Sequence, residues 1–88
     1  MKEIQQNGDC LIAVGITSRG DRKEFKIISG VLKCYDENLI SLDIPIGVKD
    51  IWCYKNKLTE LILPEGVEEI LCYNNFLTEL KQYLAIII

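Results

Sequence analysis

Two consecutive stretches decide the fold: residues 48–66 read VKDIWCYKNKLTELILPEG, and residues 67–85 read VEEILCYNNFLTELKQYLA. A Cys-Tyr pair, an Asn three residues after the Cys, and two leucines recur in both at an interval of 19 residues. A less regular copy, VLKCYDENLISLDIPIG, precedes them over residues 31–47. Self-similarity at one period over three units is the signature of a repeat architecture. The sequence therefore predicts a repeat architecture.

The segment around each repeated cysteine has the alternation of a β-strand. Successive side chains of a strand point to opposite faces, so Ile51 and Cys53 share one face while Trp52 and Tyr54 share the other. Placing the three copies side by side as parallel strands, about 4.8 Å apart, predicts one buried row and one outward row. The predicted buried row consists of Leu32, Ile51, Ile70, Cys34, Cys53 and Cys72.

This repeat resembles the leucine-rich repeat family. The family pattern L-x-x-L-x-L-x-x-N-x-L-x-x-L is matched over residues 48–61 and 67–80, with Asn56 and Asn75 at its Asn position and Glu37 there in the first unit. The Leu-Pro step and the Gly-Val restart are similar to the compact repeats of bacterial and phage proteins. The resemblance implies a mostly-β fold: a short leucine-rich-repeat solenoid with parallel strands and an extended convex side.

The flanking segments complete a single predicted domain over residues 1–88. Residues 1–28 do not repeat, and their β-rich runs around a turn predict a β-hairpin that caps the open end of the repeats. The three repeats, of about 19 residues each, occupy residues 29–83. Residues 84–88 form an apolar C-terminal tail.

Composition excludes several classes of chemistry. The chain has 88 residues, 10 Lys and Arg against 13 Asp and Glu, and no His. Without His there is no Ser-His or Cys-His catalytic pair and no imidazole metal ligand. A net charge of −3 argues against nucleic acid as a partner. Since no pair of carboxylates has a spacing that singles it out for acid–base catalysis, we expect no enzyme and no cofactor.

The location of the protein is predicted from its polar start and its cysteines. Residues 1–9 are polar, and no run approaches the roughly 20 apolar residues that span a bilayer, so neither a signal peptide nor membrane association is expected. Nothing indicates the extracellular context in which four cysteines would form disulfides. We therefore expect reduced thiols in a cytoplasmic protein.

The cysteine column has two interpretations. Adjacent thiols could hold a metal, but zinc sites usually use paired C-x-x-C loops, and this chain has none. Free Cys is among the most buried residue types and packs as a small hydrophobe. We expect the column to be core, with no metal site.

The outward row is the predicted binding surface for a protein partner. A ladder of aromatic side chains stabilises a sheet by itself, at about 0.2–1 kcal/mol per pair. Tyr and Trp in an exposed cluster are also the residues that dominate the energy of protein interfaces. A chain this small could then act as an inhibitor by masking a partner's functional surface. The predicted partner-binding residues are Tyr35, Trp52, Tyr54, Leu71, Tyr73, Lys33 and Lys55.

Two features leave alternatives open. The apolar C-terminus either folds back or adds a last strand that closes the core, or it exposes a strand edge or apolar patch that pairs with another copy or a partner. The residues expected to drive such association are Leu84, Ile86, Ile87 and Ile88. Self-assembly through this end is the alternative function. Acidic residues around the third repeat are either a solvated face or a means of steering a basic partner; they are Glu60, Glu65, Glu68, Glu69 and Glu79.

Overall fold

The protein is built from many short strands. The structure is a computed structural model that describes residues 11–77, 79–81 and 86–87. Within these ranges the strands are β1 (Ile12–Thr17), β2 (Arg22–Lys26), β3 (Val31–Lys33), β4 (Leu39–Asp43), β5 (Asp50–Trp52), β6 (Glu60–Ile62), β7 (Glu69–Leu71), β8 (Glu79–Lys81) and β9 (Ile86–Ile87).

The first sheet is antiparallel, with the order β2-β1-β4. β1 and β2 form a hairpin whose turn is held by Thr17: its hydroxyl oxygen accepts hydrogen bonds from the backbone N–H groups of Arg19 (3.2 Å) and Asp21 (3.1 Å). β1 alternates half-buried and buried residues, as expected for a strand with one face on the core. A Cβ added at Gly15 would lie 2.7 Å from Leu39 Cδ2, so the absence of a side chain lets β4 pack closely here.

The second sheet is parallel and contains the repeated Cys-Tyr segments. Its order is β3-β5-β7-β9, and a separate two-stranded parallel sheet joins β6 and β8. The register pairs residues 19 apart in sequence, so that Leu32 lies beside Ile51 and Ile51 beside Ile70. The repeat period is therefore visible directly as strand register.

The prediction of a leucine-rich-repeat solenoid capped by a hairpin is wrong, although the mostly-β character is confirmed. The strands divide among small open sheets instead of forming one continuous stack. The cause is β4, which belongs to the first repeat by sequence but pairs antiparallel with β1. β1 offers β4 a longer pairing than the three-residue β6 would. β4 therefore joins the sheet of the β1–β2 hairpin and is lost from the parallel sheets of the repeats.

The core lies between the sheets and is almost entirely aliphatic and cysteine side chains. Leu32, Ile51 and Ile70 are each fully buried. Leu39 and Leu58, the leucines seven residues later in the first two repeats, are fully buried as well. Thr17 and Asn56 are the buried polar residues in the described part of the chain, and both are hydrogen-bonded. The fully buried large side chains are Leu32, Leu39, Val48, Ile51, Leu58, Leu61 and Ile70, with Cys34 and Cys53.

Candidate functional site

The outward side of the parallel sheet carries two rows of side chains. Because β3, β5 and β7 are in register, one row consists of Lys33, Trp52 and Leu71. The second row, two residues further along in each repeat, consists of Tyr35, Tyr54 and Tyr73. We call these six residues the aromatic face. The structure thus brings together six of the seven residues predicted to bind a partner, and Lys55, the seventh, is an exposed residue directly after Tyr54.

The three tyrosines form a continuous stack. The ring centroids of Tyr35 and Tyr54 are 4.8 Å apart with 4° between the planes, and those of Tyr54 and Tyr73 are 4.7 Å apart with 6°. These distances equal the spacing of neighbouring strands, so the rings stack because the strands are in register. Tyr35 and Tyr73 are 40% and 46% exposed, whereas Tyr54 between them is half-buried. The tyrosine ladder predicted from the sequence is confirmed.

Backbone hydrogen bonds continue past the ends of the strands and hold the rings in place. The N–H of Asp36 donates to the carbonyl of Tyr54, and the N–H of Lys55 to that of Tyr73, each at 3.0 Å. Asp36, Lys55 and Asn74 all have φ between 56° and 61°. This left-handed conformation, one residue after each Tyr, turns the chain out of the strand direction at the same point in every repeat.

Asn56 closes the turn that follows. Its Oδ1 accepts hydrogen bonds from the N–H groups of Glu37 and Leu39, both at 3.0 Å. Its Nδ2 donates to the carbonyls of Cys34 and Cys53, both at 2.9 Å. The side chain thus joins the first two repeats by satisfying backbone groups that the turn removes from the ladder.

Asn75 repeats the arrangement one unit later. Its Oδ1 accepts from the N–H of Leu58 at 2.9 Å, and its Nδ2 donates to the carbonyls of Cys53 and Cys72, each at 3.0 Å. It is half-buried, whereas Asn56 is buried. The two amides therefore fix the spacing of the three repeats, and with it the spacing of the tyrosine rings.

Lys33 and Trp52 add a cation to the aromatic face. The Lys33 ammonium nitrogen lies 4.8 Å from the centroid of the Trp52 ring, within the range of a cation–π contact. Trp52 is half-buried, so part of the indole remains available to a partner. The face therefore combines rigid aromatic area with a positive charge at the β3 end.

The pKa of the central phenol, that of Tyr54, is higher than that of a free tyrosine. Desolvation raises the pKa of Tyr54 above its ordinary value of 10.0, and the neighbouring Tyr73, Tyr35 and Asp36 raise it further. The neutral hydroxyl is favoured because a phenolate here would face other acidic groups. The Tyr54 hydroxyl is therefore a neutral hydrogen-bonding group at neutral pH.

Comparison with known proteins does not indicate what the aromatic face binds. Comparisons with protein-family models, curated proteins and solved structures find no match to the chain. Within residues 11–77, 79–81 and 86–87 there is no group of three or more Cys, Asp or Glu placed to hold a metal ion. The same described ranges contain no helix long and apolar enough to cross a membrane.

The residues predicted to drive association at the C-terminus are only partly described. Leu84 and Ile88 lie outside the described residues. Ile86 and Ile87 form β9, which pairs parallel with β7, so that Ile86 lies beside Glu69 and Ile87 beside Ile70. Of the two interpretations of this tail, the added last strand is the one seen for residues 86–87.

Sequence reasoning missed the grooves and exposed aliphatic side chains away from the aromatic face. Ile46 is 76% exposed and Ile62 60% exposed, on the side of the chain that returns between repeats. Another exposed aliphatic residue, Ile28, lines a groove between β2 and β3. In the sequence, the Ser29-Gly30 pair favours a tight hairpin turn, and this turn joins the two strands that border the groove.

The buried thiols give a pH-dependent prediction. Burial raises the pKa of the Cys34 thiol from 9.0 to about 12, with a smaller contribution from Glu37. Burial also raises the pKa of Cys53 and of Cys72. The unfolded thiols ionise first as the pH rises, so the stability contributed by the neutral buried thiols is complete below pH 9 and is lost between about pH 9 and about pH 12.

We expect the free energy of unfolding in urea to fall between about pH 9 and about pH 12, and less steeply in Cys34→Ala. Ser41→Ala, at an exposed position of β4, should keep the slope of the parent chain. Equal slopes in the parent and in Cys34→Ala would contradict the raised thiol pKa.

Proposed function

We propose that this chain is a non-enzymatic protein-binding module that recognises a protein partner through the aromatic face. The observation that carries the proposal is the stack of three tyrosines beside Trp52. The rings are held in a fixed geometry by strand register and by the two asparagine amides. A partner therefore meets large aromatic side chains that lose little conformational freedom on binding.

The chemistry of the surroundings supports a protein as the partner. Tyr and Trp are the residues most enriched among those that dominate interface energies, and exposed residues of both charges border them here: Lys33, Asp36 and Lys55. The net charge of −3 does not favour binding to phosphate backbones. A binder of this size that covers a partner's functional surface would inhibit it, and inhibition is the mode of action we propose.

A cytoplasmic location is part of the proposal. Cys34, Cys53 and Cys72 are free and buried, which is supportive because thiols stay reduced in the cytoplasm. The alternative is self-assembly through the C-terminal end. It has less support, because one edge of residues 86–87 already pairs with β7. The proposal therefore rests on the aromatic face.

The test is a double substitution on the aromatic face. Once a partner has been captured from extract of the producing cells and identified, Trp52→Ala with Tyr54→Ala should weaken its binding by at least about 100-fold, since interface Trp and Tyr often contribute about 2 kcal/mol or more each. Calorimetry gives the affinity. Circular dichroism checks that the variant still folds.

The matched control removes apolar surface elsewhere. Ile46→Ala with Ile62→Ala truncates two side chains that are 76% and 60% exposed on the returning side of the chain, and it should leave the affinity unchanged. Tyr73→Glu, at the exposed end of the stack, is a second variant that keeps the central rings. Parent-like affinity in both aromatic-face variants would refute the proposal.

A further inference from the structure

A groove separates β2 from β3. The chain between them makes a tight turn: the N–H of Val31 donates to the carbonyl of Ile28 at 3.0 Å, and the reciprocal bond is 3.1 Å. Ser29 and Gly30 have φ of 54° and 78°, as a two-residue hairpin loop of type I′ requires. Beyond this one bridge the strands part: β2 pairs with β1 and β3 with β5, each on its other edge. A groove of about 620 Å³ lies between them.

Like charges explain why the hairpin does not continue. Extending the pairing of Ile28 with Val31 by two residues would place Lys26 directly opposite Lys33. Like charges directly opposite each other destabilise a strand pair. β3 is consequently the edge strand of its sheet, and beyond Val31 no strand in the described ranges pairs with its outer side. Lys33 on this edge also discourages pairing with a second copy, which carries the same lysine.

The groove is positively charged although the chain is acidic overall. Lys26 and Lys33 line it, and neither makes an ion pair with another described residue. Glu24, which also lines it, is paired with Arg22. The remaining walls are largely apolar and include Phe25, Ile28 and Val31. Two ammonium groups without a carboxylate partner among the described residues, beside an apolar wall and an open strand edge, select for an extended, acidic occupant.

The groove adjoins the aromatic face. Lys33 lies at the end of the row that contains Trp52, and Tyr35, two residues later, ends the tyrosine stack. Among the described residues Tyr35 stacks on Tyr54 alone, and it remains 40% exposed. A further strand beside β3 would place one of its side chains about 4.8 Å from Tyr35, where an aromatic ring would extend the stack.

We propose that the outer edge of β3 binds an extended acidic segment of a partner protein, which adds to the parallel sheet as a further strand. A carboxylate of that segment lies between Lys26 and Lys33, and an aromatic side chain two residues later stacks on Tyr35. Main-chain hydrogen bonds give the affinity, and the two side-chain sites give the selectivity. This inference rests on the proposed function, since it names the segment of the partner that the same surface recognises.

The direct test uses a pair of synthetic peptides and the isotopically labelled chain. The capped peptide TVEVYT sets Glu opposite Lys33 and Tyr opposite Tyr35 when it lies parallel to β3, and TVKVYT differs only in its charge. We expect TVEVYT to bind about tenfold more tightly, or better, with amide shifts centred on Lys33 and Tyr35. Lys33→Glu should reverse the preference. Lys57→Glu, a charge reversal at another exposed lysine, should leave it unchanged.

Several outcomes would overturn the inference. Equal affinity for the two peptides, no binding of TVEVYT at millimolar concentration, or shifts centred away from β3 would each do so. Tighter binding of a single-stranded oligonucleotide than of TVEVYT would show that the lysines select phosphate. Dimerisation through β3, seen as broadening of the β3 amides with increasing protein concentration, would show that a second copy is the occupant.

The identified partner separates this inference from the proposed function. Lys26→Glu with Lys33→Glu should weaken the partner by about tenfold or more, in addition to the effect expected of Trp52→Ala with Tyr54→Ala. If only the aromatic variant loses affinity, the binding function stands and the added strand is refuted. If neither variant loses affinity, both proposals fail.

Discussion

Asn56→Ala is expected to lower the free energy of unfolding by about 3–5 kcal/mol, because each buried backbone group left without a partner costs about 1–3 kcal/mol. The side chain is 5% exposed. It satisfies two N–H groups, of Glu37 and Leu39, and two carbonyls, of Cys34 and Cys53. Alanine provides none of these four bonds, although the Cys53 carbonyl keeps the hydrogen bond from Asn75 Nδ2. Urea unfolding followed by circular dichroism measures the change.

Asn75→Ala is the matched control for Asn56→Ala. Asn75 makes the same kind of contacts one repeat later, but it is half-buried and its Oδ1 accepts from the N–H of Leu58 alone among the described residues. Water can reach the freed groups more easily, so a loss of about 1–2 kcal/mol is expected. Equal losses in the two variants, or a loss below about 1 kcal/mol for Asn56→Ala, would contradict the role assigned to Asn56.

Ile51→Ala should destabilise the protein by about 3–4 kcal/mol, in the range typical of large-to-small core substitutions. Ile51 is 0% exposed and lies in β5, between Leu32 of β3 and Ile70 of β7, which are also 0% exposed. Ile51 has buried neighbours on both adjacent strands, so its truncation adds the cost of a cavity to the cost of the lost burial. The free energy of unfolding in urea again provides the measurement.

Ile62→Ala removes the same atoms from β6 at a position that is 60% exposed. A change within about 0.5 kcal/mol is expected, as for most surface substitutions. Ile51→Val, which removes one methyl group, should lie between the two at about 0.5–1.5 kcal/mol. If Ile51→Ala were no more destabilising than Ile62→Ala, the placement of the core between the sheets would be wrong.

The candidate site followed from the repeat itself. A period of 19 residues and strict strand alternation were enough to predict that Cys53 is buried and that Tyr54 lies in a ladder, since residues one period apart become neighbours when strands pair in register. Burial of the cysteine column and stacking of the tyrosines are both confirmed. Local alternation decides which face a side chain takes, and it can be read along a single strand.

The lysine groove between β2 and β3 did not follow from any one segment. Lys26 and Lys33 come together only because the Ser29-Gly30 turn folds their two strands toward each other. The like charge then keeps the strands from pairing. Such a feature depends on two strands and a turn at once, so no pattern within either strand indicates it.

What the amino-acid order decided was the direction of each side chain: which positions are buried, which rings stack, and where each repeat turns. The arrangement of the sheets was decided in three dimensions. β4 carries the same leucine pattern as β6 and β8, yet it pairs with β1, and the continuous stack expected from the repeat is replaced by separate small sheets. A strand edge forms hydrogen bonds with whichever neighbour offers the longer matching edge, and that competition involves segments distant in sequence.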